Sequence, residues 1–433
     1  TTNHNVTFKA QVRVYDKAGN SAYSACSDGI TPASDETLTI SFPVSGKRIG
    51  WVTKVSGTCS EASASVQVSS SGSASTGTCS SGAFTTFYDA STLSVANHTI
   101  DVKLKDQFGL WTSAQQVVAN KVTSACDTSS ERDDIAAGNY AGGAGTRASP
   151  WIICSIDQLN DTRNQLSAYF ELHSDIDFVN TDTNGDTLTN GSDTSGYRTG
   201  SGWTPIPSAT FNFNGNHFGI YNLYINRSGT NTIGFLAGIS SGGVVYNLDF
   251  VDSYVLGAQT VGIVVGNLAG ITSNILLSGG SVSGTTQVGG LAGGLAGRLA
   301  LMNNIGARDV RVSSNGIRVG GLLGYTASAG QGVLSNSYFT GSVHGSGTRV
   351  GGLVGETTGS TADSTWLLIS SSFVSATVIG TGASLGGILG QAGPVYIKDS
   401  FVSGRIYNNA NNNSGTIAGG ACLLYTSPSP RDS

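Results

Sequence analysis

The chain is poor in charged side chains. Only 11% of its 433 residues are Asp, Glu, Lys or Arg, and the formal net charge is −5. It has no basic stripe with aromatic residues between the charges, which argues against a nucleic-acid partner. It also lacks any run of 18 apolar residues, so the sequence predicts no membrane-spanning helix. Glycine is abundant instead, with 61 residues, and a chain rich in Gly, Ser, Thr and Asn is typical of extracellular all-β proteins.

Catalytic motifs are missing as well. The chain contains neither His-Glu-x-x-His nor Gly-x-Ser-x-Gly, the signatures of zinc peptidases and α/β-hydrolases. Its five histidines lie far apart in sequence, at His4, His98, His173, His217 and His344. The local charged clusters are Asp249 with Asp252, Arg308 with Asp309 and Arg311, and Lys398 with Asp399. Glycosidases need two acids around one bond, and we interpret these clusters as a solvated rim, so the sequence predicts no enzyme.

Cysteine is scarce, and none of the six residues forms a Cys-x-x-Cys motif, so zinc is not expected. Cys59 and Cys79 flank a predicted hairpin region, and we predict a disulfide between them. Cys126 and Cys154 bracket the beginning of the repeat region, and we predict a second disulfide there; Cys26 has no assigned partner. Disulfides persist in oxidising compartments, which predicts an extracellular or cell-surface location. The alternative is a cytosolic protein with reduced cysteines.

One hexapeptide recurs through the second half of the chain. Its copies begin at Ile233, Val261, Val288, Val319, Val350 and Leu385, with a degenerate copy at Ile417, and the copy at Val288 reads Val-Gly-Gly-Leu-Ala-Gly. The copies begin 28, 27, 31, 31, 35 and 32 residues apart. A period of this size indicates one supersecondary unit stacked on copies of itself. Strict alternation cannot bury both the Val and the Leu, so we predict that the Gly-Gly pair forms a bulge or a corner. The alternative, a flexible Gly-rich linker, does not explain phased Val and Leu residues.

A strand pattern accompanies each hexapeptide. Apolar residues recur at Val255, Val282, Val312, Val343, Val378 and Ile406. The residues two positions before these are mostly small: Ser253, Gly280, Val310, Gly341, Ala376 and Gly404. The residues a further two positions earlier are Val251, Ser278, Arg308, Phe339, Val374 and Val402. Alternation of this kind predicts that all three sets point into a narrow interior.

The hexapeptides resemble the GLUG motif of large bacterial surface and secreted proteins. Segments 169–177 and 211–225 are similar to the first coils of that family, so the resemblance covers about residues 150–421. It implies a β-solenoid, a right-handed parallel β-helix, with its cap and first coils at 151–228 and its repeats at 229–421. Ser155 and Gln158 match a capping box for one short polar helix, about 156–166, which would cover the first coil.

Residues 1–125 predict short strands and turns. Segments 12–20 and 102–109 are the same element about ninety residues apart, a strand running into an Asp-x-x-Gly turn. They resemble tandem bacterial immunoglobulin-like domains, with a remnant at 1–30, a complete β-sandwich at 36–122 and a linker at 123–150. We predict a sandwich core of Phe42, Val55, Val66, Val68, Phe84, Phe87, Leu93, Ile100, Val102 and Leu104, and leave open whether Trp51 and Trp111 lie in the core or at an edge.

The two termini carry their own expectations. Residues 422–433 resemble the translation of a sequencing adapter, and we expect this tail to be non-biological and to pack against nothing. A natural Pro-rich tail is the alternative. The first residue is Thr and no signal peptide is present, so we expect the signal and the anchor to lie outside this fragment.

A polar loop ahead of the repeats matches part of a calcium site. Oxygen-bearing side chains stand at positions 1, 3, 5, 9 and 12 of a calcium loop, namely Asp182, Asn184, Asp186, Asn190 and Asp193. Two positions depart from the pattern, because Thr187 replaces the usual Gly and Asp193 the usual Glu. Asp177 is a further candidate ligand. The alternative is a solvated Asn/Asp/Gly turn, and calcium is the only cofactor that the sequence suggests.

Aromatic residues recur one position before the second-strand pattern, at Phe250, Tyr338, Phe373 and Phe401. They predict either an outward ladder suited to sugar rings or packing under a loop or in a second row of the core. We predict a non-catalytic structural and adhesive segment of a large secreted or cell-surface bacterial protein, with a surface glycan or a host or neighbouring-cell protein as its partner. The alternatives are a carbohydrate-binding or carbohydrate-active β-helix enzyme, which acids converging from different coils would favour, and the stalk of a larger peptidase.

Overall fold

The computed structural model is mostly β-strand and separates into two compact units, Thr1–Thr123 and Ser124–Ser433. The structure describes residues 13–15, 21–23, 37–43, 45–49, 52–90, 92–105, 111–121, 126, 140–178, 196–297, 299–327, 331–347, 349–358, 366–381 and 384–408. The predicted calcium loop, the degenerate repeat at Ile417 and the tail at 422–433 lie outside these residues, as does most of the predicted remnant at 1–30. Within the described part, no helix is long and apolar enough to cross a lipid bilayer.

The first unit is built from antiparallel strands. Its strands are β1 Arg13–Tyr15, β2 Ser21–Tyr23, β3 Leu38–Phe42, β4 Arg48–Ile49, β5 Val52–Cys59, β6 Ser65–Ser70, β7 Ser73–Thr78, β8 Ala83–Asp89, β9 Asn97–Leu104 and β10 Gln115–Lys121. Strands β1 and β2 pair with each other, β3-β5-β8 form one sheet, and β4-β10-β9-β6-β7 form another in which β4 alone pairs in parallel. The last two sheets share one buried apolar cluster, which is the arrangement of a β-sandwich.

The sandwich core agrees with the alternation in the sequence. Eight of the ten predicted core residues are buried: Val55, Val66, Val68, Phe84, Leu93, Ile100, Val102 and Leu104. The side chains of Phe42 and Phe87 lie outside the described part, as does Trp51, and Trp111 is 40% exposed. The disulfide between Cys59 and Cys79 is present. It joins the end of β5 in one sheet to the residue after β7 in the other, and so ties the two sheets together.

The second unit is a β-solenoid. It begins with β11 Trp151–Ile153, helix α1 Ile156–Asp161, a 3₁₀ turn at Thr162–Asn164, β12 Tyr169–Leu172, β13 Ile176–Asp177 and a 3₁₀ turn at Gly196–Arg198. The first complete coil follows, with β14 Asn212–Asn214, β15 Gly219–Tyr221, β16 Tyr224–Asn226, β17 Thr232–Ile233 and β18 Leu236–Ile239. The disulfide between Cys126 and Cys154 is also present, just before α1.

The helix matches the capping signal but is shorter and less polar than predicted. The backbone N–H of Gln158 donates to Ser155 Oγ at 3.2 Å, while the side-chain Oε1 of Gln158 accepts from the backbone N–H of Cys154 at 2.6 Å. Ile156 and Leu159 are buried. An apolar stripe therefore anchors α1, which ends at Asp161 because the chain tightens into a 3₁₀ turn.

Later coils repeat the same path, with neighbouring strands fused in some of them. The strands are β19 Val244–Val251, β20 Tyr254–Leu256, β21 Thr260–Val261, β22 Val265–Leu268, β23 Ile271–Ser278, β24 Ser281–Gly284, β25 Gln287–Gly289, β26 Ala292–Leu295, β27 Ala300–Ser314, β28 Arg318–Gly320, β29 Leu323–Thr326, β30 Gln331–Ser335, β31 Tyr338–Gly345, β32 Arg349–Gly351, β33 Val354–Thr357, β34 Trp366–Ser370, β35 Phe373–Gly380, β36 Ser384–Gly386, β37 Leu389–Gln391, β38 Val395–Lys398, β39 Phe401–Val402 and β40 Arg405–Asn408. Among the fused strands, β19 pairs with both β14 and β15, and β27 with both β23 and β24.

Three parallel sheets hold the coils together. One sheet of 18 strands runs from β11 to β40, and two sheets of six strands collect β17-β21-β25-β28-β32-β36 and β18-β22-β26-β29-β33-β37. The six complete hexapeptides therefore lie directly above one another, and the predicted all-β solenoid is confirmed. Every strand pair in these sheets is parallel, so each coil is the hydrogen-bonding template of the next.

The Gly-Gly pair makes a corner. In the copy at Val319, β28 ends at Gly320 and β29 starts at Leu323, and Val319, Leu322 and Leu323 are all buried. Neither Gly320 nor Gly321 has a positive φ. Glycine is needed for close approach instead, because a Cβ on Gly321 would lie 2.1 Å from the Gly352 carbonyl oxygen and 2.5 Å from the Phe339 ring.

The predicted alternation is wrong by one residue in three coils. Val251, Ser278 and Arg308 do not point inward; the buried residues are their neighbours Phe250, Leu277 and Ala307. The reason is one extra residue in the left-handed conformation, at Asp252 (φ 52°), Gly279 (φ 68°) and Asp309 (φ 57°). Such a residue shifts the side-chain phase. In later coils the shift is absent, and Phe339 and Val374 are buried as predicted.

Two ladders of polar side chains stabilise the corners of the large sheet. Outside, Asn247 Nδ2 donates to Asn214 Oδ1 (3.1 Å), Asn274 Nδ2 to Asn247 Oδ1 (2.8 Å) and Asn304 Nδ2 to Asn274 Oδ1 (2.9 Å). Inside, the Ser337 Oγ accepts from the Ile305 N–H, and Ser372 and Ser400 repeat the contact one and two coils on. Both ladders satisfy polar groups from the neighbouring coil.

Candidate functional site

The outer face of β31, β35, β39 and β40 carries the candidate site. Parallel registration places Tyr338, Phe373 and Phe401 in one column, and Arg311, Ser342, Thr377 and Arg405 in another. The two columns are four residues apart along a strand, or about 13 Å at 3.3 Å per residue. Hydroxyl side chains occupy the positions between them.

The aromatic column is a true ladder, named here the aromatic ladder: Tyr338, Phe373 and Phe401. The ring centroids are 5.2 Å and 5.3 Å apart, and the ring planes differ by 9° and 7°. Tyr338 also covers Gly306, where a Cβ would fall 2.8 Å from the ring. Both faces of Phe373 are therefore covered by the other two rings, and Tyr338 lies between Phe373 and Gly306, so these two rings present their edges outward. Phe250 is no member of the ladder, since it is 1% exposed and belongs to the core.

A depression of about 300 Å³ lies beside the ladder, named here the lateral groove. It is lined by Gly341, Ser375, Ala376, Thr377, Gly404 and Arg405. The middle strand position is Gly or Ala in the three successive coils that line the groove, Gly341, Ala376 and Gly404, and Val310 stands at the same position one coil earlier. Ser375 and Arg405 are exposed and Thr377 is half-buried.

Positive charge flanks the groove. Neither Arg311 nor Arg405 makes an ion pair with a carboxylate in the described part of the chain, and Arg405 Nη1 donates to the Tyr407 hydroxyl at 3.4 Å. Burial and the nearby charge of Arg311 lower the pKa of His344 from its usual 6.5. This shift favours the neutral form of His344, so the positive charge comes from Arg405, which lines the groove, and from Arg311 beside it.

Other arginines are already engaged. Glu356 is 3% exposed, and its Oε2 accepts from Arg318 Nε and from Arg349 Nη1, the latter at 2.8 Å. The Arg318 guanidinium also lies 4.2 Å from the centroid of the Tyr325 ring. This cluster links adjacent coils through a buried carboxylate, which both arginines share.

Acids of different coils lie near Tyr221 in the first coils. Tyr221 is buried, and its ring lies over Gly219 between Asp175 and Asp249. Burial and the charges of Asp175, Asp249 and Asp177 raise the pKa of Tyr221 well above 10.0. Two of these carboxylates accept hydrogen bonds from the next coil: Gly219 N–H donates to Asp175 Oδ1, and Asn222 Nδ2 donates to Asp177 Oδ1, both at 2.7 Å.

The predicted calcium ligands fall almost entirely outside the described residues. Asp182, Asn184, Asp186, Asn190 and Asp193 lie outside the described residues, and Asp177 is the only described member of the proposed set. In the described part of the chain, no three His, Cys, Asp or Glu residues are grouped to hold a metal ion. Of the other charged clusters, Lys398 and Asp399 form an exposed pair at 3.7 Å.

Comparisons with known proteins match parts of the chain. No family model matches it. It is 32% identical over 159 residues to "Halomucin" of Haloquadratum walsbyi, a match that covers 35% of this chain and 2% of that protein. It is 32% identical over 145 residues to a "Putative Gly-rich membrane protein" of Evansella cellulosilytica, which covers 31% of this chain and 15% of that protein. The matches thus span a small part of either relative.

A solved structure is similar at low sequence identity. The crystal structure of a "putative immunoglobulin A1 protease" from Bacteroides ovatus aligns with 64% of this chain and 84% of its own, with a TM-score of 0.47 and 22% identity.

Proposed function

We propose that this chain is a structural and adhesive segment of a secreted or cell-surface protein, which presents its outer faces to a ligand without chemical turnover. One observation carries the proposal: a single parallel sheet of 18 strands runs without a break from β11 to β40. A continuous column of this kind is suited to hold repeated surface positions about 4.8 Å apart in fixed register.

Two further observations support a surface location. The structure contains two disulfides, which persist in oxidising compartments. The names of two relatives, a halomucin and a Gly-rich membrane protein, are consistent with a protein of the cell surface. The GLUG resemblance of the hexapeptides supports the same proposal.

The test measures retention and turnover together. Beads that carry the full chain are incubated with immobilisable extracellular polysaccharides and proteins, and the ligand is then analysed for new reducing ends and new amino termini. We expect some ligands to be retained and recovered intact, with no retention on beads that carry the reduced and alkylated, unfolded chain. Products that increase with time and with protein concentration would contradict the proposal, as would the absence of retention on every surface.

A second candidate function, a carbohydrate-active enzyme, is favoured by two half-buried carboxyl groups of different coils, Asp175 and Asp249, which flank Gly219. A pair of carboxyl groups provides the proton donor and acceptor that glycoside hydrolysis needs. If products form in the test above and disappear in the Asp249→Asn variant, this second function replaces the first. Persistence of the products in that variant would place the activity elsewhere.

A further inference from the structure

We propose that the lateral groove binds acidic sugar residues of an anionic polysaccharide. The inference rests on the proposed adhesive function, because it names the class of ligand that the adhesive face would hold. It commits to oxygen-rich, negatively charged sugars, and each part of that description follows from one property of the groove.

The size and lining of the groove fit a short stretch of sugar. A volume of about 300 Å³ is at the lower end of the range for small-molecule sites. Ser375 and Thr377 point outward on alternate positions of β35 and offer hydroxyl groups that both donate and accept hydrogen bonds. Neither hydroxyl makes a side-chain hydrogen bond within the described part of the chain, so both are open to a ligand.

The charge of the groove selects an anion. Arg311 and Arg405 belong to the same outward column and are separated by Ser342 and Thr377. Three coil spacings of about 4.8 Å put them roughly 14 Å apart, on either side of the hydroxyl positions. An arginine without a protein carboxylate binds carboxylate or sulfate oxygens in a bidentate manner.

The aromatic ladder adds to this preference in an indirect way. Stacking covers the faces of Tyr338 and Phe373, so a sugar ring cannot lie flat on them. Ring edges carry partial positive charge, and Phe373 stands two residues before Ser375 on the outward face of β35. Sugar hydroxyl and carboxylate oxygens that extend from the groove towards the ladder therefore meet favourable electrostatics. An acidic polypeptide would also use the arginines, but it would gain less from the hydroxyl floor.

The experiment compares one polysaccharide in two charge states. Binding of the full chain to polygalacturonate, to its fully methyl-esterified form and to poly-L-glutamate is measured by biolayer interferometry. We expect binding to polygalacturonate, with little or none to the ester. Arg405→Ala and Arg311→Ala should each weaken binding about tenfold or more, because each removes a charge-assisted hydrogen bond.

Two further variants separate ionic attraction from sugar recognition. Thr377→Val keeps the shape of the side chain and removes its hydroxyl, so it should weaken polygalacturonate binding severalfold. Lys398→Ala removes an exposed cation on β38, outside the groove, and should leave binding unchanged. Circular dichroism of each variant checks that the solenoid is intact.

The outcomes are distinct. Equal binding of poly-L-glutamate, with no effect of Thr377→Val, would overturn the inference in favour of an acidic polypeptide. Equal binding of the methyl ester would show that the carboxylate charge of the sugar does not contribute to binding, and would overturn the inference. Retention of other ligands in the bead experiment without binding of polygalacturonate would overturn this inference and leave the adhesive function standing. Cleavage of polygalacturonate would contradict the adhesive function itself.

Discussion

At the scale of single residues, the buried serines show how the solenoid interior accepts polar groups. The Ser372 Oγ accepts from the Ser337 N–H at 3.2 Å and donates to the Ser370 carbonyl oxygen at 2.8 Å. Ser372 is 1% exposed, so water cannot replace the missing partner if the hydroxyl is removed.

We therefore predict that Ser372→Ala lowers the free energy of unfolding by about 1–3 kcal/mol, the usual cost of leaving a buried N–H unsatisfied. Chemical denaturation of the full chain measures the change. Ser375→Ala is the matched control, because Ser375 is exposed three residues further along the chain, and it should change stability by less than about 0.5 kcal/mol. Equal effects of the two variants would show that the serine ladder contributes nothing.

Some residues of the candidate site could be identified from the sequence and others could not. The aromatic ladder follows from the recurrence of Tyr338, Phe373 and Phe401, although Phe250 was wrongly placed with them because the extra Asp252 shifts the phase. A signal for the arginine column was present too: Arg311, Thr377 and Arg405 each stand one residue before an inward Val or Ile. The groove itself was not readable, since it depends on how three successive coils, with Gly341, Ala376 and Gly404, are placed beside one another.

At the scale of elements, the disulfide between Cys59 and Cys79 joins the two sheets of the sandwich across a short chain segment. The sequence separation is 20 residues. A cross-link of that length stabilises a fold by about 3 kcal/mol, chiefly by restricting the unfolded chain.

Replacing both Cys59 and Cys79 by Ala should therefore destabilise the first unit by about 3 kcal/mol. Hydrogen exchange of β6 and β9 under native conditions measures this, because their amides exchange through opening of the sandwich. The Cys126→Ala, Cys154→Ala double variant serves as the control, since that disulfide belongs to the second unit. Unchanged protection of β6 and β9 in the Cys59, Cys79 variant would refute the prediction.

The first coils hold tyrosines that favour the neutral state. Burial, with a smaller contribution from the charge of Asp161, raises the pKa of Tyr140 from 10.0 to about 12. Burial, together with Asp157 and the hydrogen bond to it, also raises the pKa of Tyr197 above its usual value. Below pH 10 these phenols are neutral in both the folded and the unfolded chain and add no pH dependence.

We predict that stability falls as the pH rises from about 10 to about 12, because the unfolded chain then releases protons that the folded chain retains. Tyr140→Phe should reduce the slope of unfolding free energy against pH in this window. The exposed Tyr396, which is 67% accessible, provides the control, and Tyr396→Phe should leave the slope unaltered. A slope that is the same in wild type and Tyr140→Phe would contradict the assignment.

The sequence predicted the elements of the solenoid better than their register. The hexapeptides set the coil phase because Val319 and Leu322 must both be buried around one corner, and corners recur at fixed places in each coil. The sequence gives no signal of the bulge at Asp252, Gly279 and Asp309, because the apolar positions that follow it, Val255, Val282 and Val312, recur as they would without the extra residue. The disulfides were predicted from their position, and the sandwich core from simple alternation.

At the scale of the whole molecule, the coils depend on their neighbours for every backbone hydrogen bond of the three parallel sheets. Gly321 lies at a close approach of adjacent coils, with the Gly352 carbonyl oxygen 2.1 Å from the position of an added Cβ. The backbone must move to accept any side chain there, and the movement is passed to the coils on both sides.

Gly321→Ala should therefore destabilise the solenoid by about 3 kcal/mol. Protection from hydrogen exchange should fall in β25 and β32 as well as in β28, because they pair with the disturbed coil. Gly229→Ala is the control: an added Cβ meets nothing within 4 Å, so protection should stay as in the wild type. Loss of protection confined to β28 would contradict this coupling between coils.

The coils differ in length although their strands stay in register. Residues 269–270 join β22 to β23, whereas 358–365 join β33 to β34, yet β30 pairs with β34 over five consecutive residues. Chain length at this connection is thus decoupled from the alignment of the sheets. The connection before Trp366 is therefore suited as an insertion site, where an epitope or a small domain would leave the pairing of β30 with β34 intact.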